Sequence, residues 1–105
     1  MSGLKTYDKA DWDLILKLPL EEVIKCMVDG NIKYVRDNWM DQTGEVAREY
    51  RNAACRHLAA HARGEVFITD PKGDVDIRHL ASAATSCLIA LWHEIKNEQK
   101  QAQDT

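Results

Sequence analysis

The stretch IRHLASAATSCLIALWHEI, Ile77 to Ile95, decides the fold of this chain. Ile77, Leu80, Ala81, Ala84, Leu88, Leu91 and Ile95 recur at helical spacing and share one face. Ala83, Cys87 and Ala90 widen that face, so the helix is expected at the centre of an all-α bundle. It is predicted to begin near Asp74 or Asp76, both good N-caps, and to run to about Gln99, with a polar tail that frays. Its apolar arc is wider than a lone small domain needs, which predicts a partner surface.

Three more helices are read outward from it. One covers about Gly44 to Arg63, with Val46, Tyr50, Ala53, Ala54, His57, Leu58 and His61 on a broad face. Thr43 suits its N-cap and Gly64 its C-terminal stop. A second runs from about Pro19 to Val35, with Leu20, Val23, Ile24, Met27, Val28, Ile32 and Val35 apolar and Glu21 and Glu22 in the first turn. Gly30 interrupts it, which implies a bend or a close neighbour. A short N-terminal helix, about Lys9 to Lys17, is stopped by Pro19. Val66 to Thr69 is a short extended piece, and Asp70-Pro71-Lys72-Gly73 reads as a turn. The expected architecture is one all-α, four-helix bundle-like domain over residues 1–105, with an acidic loop between the last two helices. Such bundles place ligand sites between facing helices.

Composition sets limits. A chain of 105 residues that is 45% hydrophobic supports one domain with a core. The net charge of −3 argues against a nucleic-acid duplex as partner, though a single nucleotide needs only a few local cations. The sequence lacks an apolar run long enough to span a membrane and an N-terminal signal core, so a cytoplasmic location is expected, host cytoplasm if the source is viral. Cys26, Cys55 and Cys87 form no CxxC pair and read as buried, reduced thiols.

Candidate chemistry clusters in three places. Arg56 and His57 are adjacent, and His57 and His61 share a helical face at i, i+4. A plain reading makes His57 a hydrogen-bonded core residue and Arg48, Arg51 and Arg63 a solvated face. Glu65, Asp70, Asp74 and Asp76 crowd the loop before the last helix, where hard cations such as Mg²⁺ find oxygen ligands. Asp74 and Asp76 are equally explained as N-caps. His79 follows Asp76 by three residues, so Asp76 is placed to orient it. Lys33 and Tyr34, then Asn38 and Trp39, offer a point charge for phosphate and an aromatic ring for a base. Tyr34 and Trp39 also suit the rim of a core.

These pieces, in this order, resemble a known family. Asp11-Trp12-Asp13-Leu14-Ile15, Leu20-Glu21-Glu22-Val23, Gly30 to Tyr34, Asn38-Trp39, Tyr50, Arg56-His57-Leu58, Gly64-Glu65, Asp70 and His79-Leu80-Ala81 are similar to the small all-α dATP/dGTP diphosphohydrolase-like proteins of phage genomes. Those are distant relatives of the MazG-type pyrophosphohydrolases. The resemblance implies hydrolysis of purine deoxynucleoside triphosphates to monophosphate and pyrophosphate, with Mg²⁺ or Mn²⁺ and a homo-oligomeric dimer or tetramer. It implies Glu22, Glu65 and His57 as catalytic, with Glu22, Glu65 and Asp70 on the metal. It implies Lys33, Tyr34, Asn38, Trp39, Arg56 and His79 around the purine nucleotide. The chain departs from the pattern at Lys25, Ser82 and Ser86, where the relatives carry carboxylate, imidazole and amide groups. Those departures keep open a non-catalytic nucleotide-binding module, or an oligomeric scaffold.

Overall fold

A computed structural model describes residues 17–33, 38–71, 73 and 75–104. Within them the chain is all-helical: α1 (Lys17–Lys33), a short 3-10 helix (Asn38–Asp41), α2 (Val46–Ala62) and α3 (His79–Asp104). No strand occurs among the described residues, only an isolated antiparallel bridge between Phe67 and Arg78. The expected N-terminal helix lies outside them, apart from Lys17, which opens α1. Pro19 sits in the first turn of α1, where its missing N–H costs no helical bond. Glu21 and Glu22 therefore fall beyond the first turn, a correction to the sequence reading.

The end of α2 follows from one glycine. Gly64 takes φ 94°, a left-handed conformation that suits a residue without Cβ. Its N–H donates to the His61 carbonyl at 2.9 Å, and the Glu65 N–H donates to Ala60 at 3.1 Å. Two orphan carbonyls are thereby satisfied and the helix stops. At its other end α2 begins at Val46, with Glu45 rather than Thr43 at the cap position and no side-chain capping bond.

The start of α3 lies later than the sequence predicts. The Ile68 N–H donates to Ile77 O and the His79 N–H to Val66 O, each at 2.8 Å. These bonds hold Ile77 and Arg78 extended, so helix begins at His79 rather than at Asp74 or Asp76.

Of the positions predicted on the core face of this last helix, Ile77, Ala81 and Ala83 are buried. Ala81, Ser82, Ala83, Thr85, Ser86, Ile89 and His93 are buried. Leu80, Leu88, Leu91 and Ile95 are 45–50% exposed, and Ala84 and Cys87 are exposed too. Small side chains on α2 and α3, such as Ala54, Ala60 and Ala83, allow close approach, and this helix pair is the principal contact of the fold. The polar members of the buried face find partners. The Thr85 hydroxyl donates to Ala81 O at 2.9 Å, and Ser82 Oγ lies 3.5 Å from Cys26 Sγ on α1. On α1 the predicted face splits, with Leu20, Ile24 and Val28 exposed and Val23 and Met27 half-buried. Cys55 and Cys87 are exposed rather than buried; all three cysteines are free thiols.

Candidate functional site

Two groups of side chains meet where the Phe67–Arg78 bridge fixes the first turn of α3. The first is a histidine pair. His57, about two thirds of the way along α2, and His79, the first residue of α3, approach with 2.9 Å between their Nδ1 atoms. The ring centroids are 5.2 Å apart. One Nδ1 must carry the proton and the other accept it, which fixes opposite tautomers on the two rings. His79 is 9% exposed, and its Nε2 is buried without a partner. Such an atom is costly to bury unless something occupies it. His57 has its pKa lowered by burial, then by His79 and by the charge of Arg56. It is therefore neutral at neutral pH and able to accept a proton.

The second group is ionic. Glu22 on α1 accepts hydrogen bonds from Lys25 at 2.7 Å and from Arg78 Nε at 2.9 Å. Those bonds, Lys25 first, hold its carboxyl below the usual range. The Arg78 guanidinium also lies 4.8 Å from the centroid of the Phe67 ring. Glu22, Lys25 and Arg78 edge an open groove of about 530 Å³ between α1 and α3, lined also by Leu18, Leu80 and Ala84.

Of the remaining candidates, Arg56 adjoins the histidine pair, its charge acting on His57. Glu65 is exposed and accepts from Arg63 Nε at 3.0 Å. Asp70 and Arg56 are exposed. Among the described residues no three of His, Cys, Asp and Glu gather so as to hold a metal ion. Glu22, Glu65 and Asp70, as this chain holds them, do not fit a shared cation. Asp76 is exposed and does not orient His79, whose ring is held by His57 instead. Trp39 packs edge-to-face on Trp92 with centroids 5.1 Å apart, and its carbonyl accepts a bond from His93 Nε2 at 2.6 Å. Tyr34 lies outside the described residues, as do the side chains of Lys33 and Asn38.

Three residues carry more than the sequence suggested. Asp29 is 8% exposed, and its Oδ1 accepts the Gly73 N–H at 2.7 Å, tying α1 to the acidic loop. Arg78 joins that loop to Glu22, and His93 anchors the 3-10 helix. A charged or imidazole residue inside an apolar helical pattern was the available signal for Asp29 and His93.

Residues 3–104 match the family model described as dATP/dGTP diphosphohydrolase, N-terminal. No curated protein matches the chain, and no solved structure does. Among the described residues no helix is long and apolar enough to cross a membrane.

Proposed function

The chain belongs to the dATP/dGTP diphosphohydrolase family, over the region that family's N-terminal model describes, and on that premise we propose that it hydrolyses purine deoxynucleoside triphosphates to monophosphate and pyrophosphate. The observation that carries this reading is the His57–His79 pair. Arg56-His57-Leu58 and His79-Leu80-Ala81 belong to the segments shared in pattern with the family, and the fold joins them at 2.9 Å across 22 residues of sequence.

The proposed chemistry uses this chain's own groups. Water attacks the α-phosphorus, the bond to the bridging oxygen breaks, and pyrophosphate leaves with the electron pair. The water proton passes to neutral His57, a general-base role. The family resemblance gives Arg56 and Lys33 the phosphate oxygens, His79 the lining of the site, and Tyr34, Asn38 and Trp39 the nucleoside. Mg²⁺ or Mn²⁺ enters as part of the substrate, bound to the triphosphate whose charge it neutralises. No step is assigned to a cation held by Glu22, Glu65 and Asp70.

The test is a deoxynucleotide panel with Mg²⁺ or Mn²⁺, read as pyrophosphate released. Purine substrates should turn over, and His57→Ala should lower the rate at least about 100-fold. Absence of pyrophosphate from every nucleotide at high enzyme concentration rejects the reading. A second reading, nucleotide capture without cleavage, is favoured by Glu22, whose carboxylate is already occupied by Lys25 and Arg78. Calorimetry that shows saturable binding with the nucleotide recovered intact would select it.

A further inference from the structure

The groove between α1 and α3 opens beside the point where α1 begins. Leu18 and Pro19, in the first turn of α1, line it together with Leu80 and Ala84 of α3. These apolar walls stand in solvent: Leu18 is 76% exposed and Leu80 49%. The rim is ionic. Glu22 holds Lys25 at 2.7 Å and Arg78 Nε at 2.9 Å, and both cationic side chains stay about half exposed. An ammonium carries three donors and a guanidinium five, so each cation has donors for a second carboxylate. Glu21 lies on the same rim, so an acidic occupant is favoured only where it reaches one of the two cations directly. The groove therefore suits an apolar occupant that carries a single well-placed acid.

We propose that the chain's own residues 8–16, read as DKADWDLIL, fill this groove, with Trp12 and Ile15 against Leu18, Leu80 and Ala84 and the Asp11 carboxylate on the Arg78 guanidinium. Connection is the first argument. Leu16 leads directly into Lys17 and Leu18, so the segment leaves α1 at the rim of the groove. Asp11 precedes Leu18 by seven residues, a span of about 10 Å as helix and about 23 Å when extended. A tethered segment has an effective concentration on the order of millimolar, which a free partner at micromolar concentration does not match. Pattern is the second. Trp12 and Ile15 share one face at helical spacing, with Asp11 beside both. Charge is the third, counted over the whole segment. Asp8 has Lys5 three residues away, and Asp13 has Lys9 and Lys17 four residues to either side. Asp11 has Tyr7, Asp8, Leu14 and Ile15 at those spacings, so it is the acid without a local cation. The match to the family model also reaches back to residue 3, which makes the segment part of the domain rather than an appendage. Once seated, Asp11 gives Arg78 a second carboxylate beside Glu22. Arg78 precedes His79, so the segment helps to hold the start of α3 on which the histidine pair depends.

This proposal does not depend on the hydrolase reading, and its test needs no nucleotide. In the full chain with methyl-labelled leucines, NMR should show nuclear Overhauser contacts from the Trp12 indole, identified by its loss in Trp12→Phe, to the Leu80 or Leu18 methyls. Mixing labelled with unlabelled copies tells contacts within a chain from contacts between chains, and these should stay within one chain. Ala84→Glu places a charge on the groove wall. It should speed amide hydrogen exchange of residues 8–16 at least about tenfold, with helical circular dichroism retained. Asp11→Asn should shift the Arg78 Hε resonance, and Asp13→Asn should leave it in place. Absence of the Trp12 contacts overturns the proposal, and contacts that appear only between copies give the groove to a second molecule and overturn it equally. It also falls if residues 8–16 exchange as fast in the unmodified chain as in Ala84→Glu, or if the Arg78 resonance ignores Asp11→Asn.

Discussion

Two imidazoles whose Nδ1 atoms lie 2.9 Å apart hold one proton between them at that contact. A second proton would set N–H against N–H and break it. His57 already sits below its ordinary value of 6.5, because burial and the neighbouring His79 and Arg56 disfavour its charged form. A depressed folded value means the unfolded chain binds the proton more readily. His57 therefore leaves stability intact above 6.5 and lowers it as pH falls from there through the folded value. Glu22 is depressed as well, and its contribution is lost at lower pH, below 4.5. Thermal melts should thus show a decline beginning near neutrality, and His57→Phe should remove that first decline while sparing the more acidic one. An unchanged profile in the variant would place the titration elsewhere. Asp29 supports a sharper stability test. Asp29→Ala deletes the acceptor of the Gly73 N–H and should cost about 1–3 kcal/mol in urea unfolding. His57 and His79 were legible as site candidates through the family resemblance, since the apolar pattern around His57 reads equally as a core residue and His79 stood out by its spacing from Asp76. The pairing between them was not, since it depends on the later start of α3.

Among the elements, two glycines make opposite demands. Gly30 lies inside α1, and a Cβ built there meets nothing within 4 Å. The close neighbour that the sequence allowed is absent among the described residues. Gly30→Ala should stabilise by about 0.5–1 kcal/mol, through helix propensity and a less disordered unfolded chain. Gly64 also has open space, but φ 94° makes any side chain strained, so Gly64→Ala should cost about 1 kcal/mol. Chemical denaturation of the two variants side by side checks both signs. The existence of α1, α2 and α3 was readable from periodicity alone. Their starts were less so. Helix α3 begins at His79 because two backbone bonds across the Phe67–Arg78 bridge outweigh the capping preference of Asp74 and Asp76. Glu45 occupies the cap of α2 although Thr43 is the better capping residue.

For the whole molecule, periodicity identified an apolar face on α3 but not what lies against it. The single chain buries Ala81, Ser82, Ala83 and Ser86, small enough to let α2 approach, and leaves Leu88 and Leu91 outside. No rule of spacing distinguishes a face turned to a neighbouring helix from one turned to a second molecule, since both exclude water in the same way. Stability measured against concentration does distinguish them. Ile77 is buried to below 2% exposure and anchors the segment that carries Arg78 and His79. Ile77→Ala should cost about 2–5 kcal/mol, by lost transfer energy and the cavity it leaves. That cost should be the same at every protein concentration, because the site lies within one chain. Leu88→Ala removes atoms from a half-exposed position, so in dilute protein it should barely move the melting temperature. If that face joins a second molecule, the wild-type melting temperature should rise with concentration, and that of Leu88→Ala should rise less. Calorimetric scans of both variants over a dilution series separate the two outcomes: parallel curves for Ile77→Ala, diverging curves for Leu88→Ala.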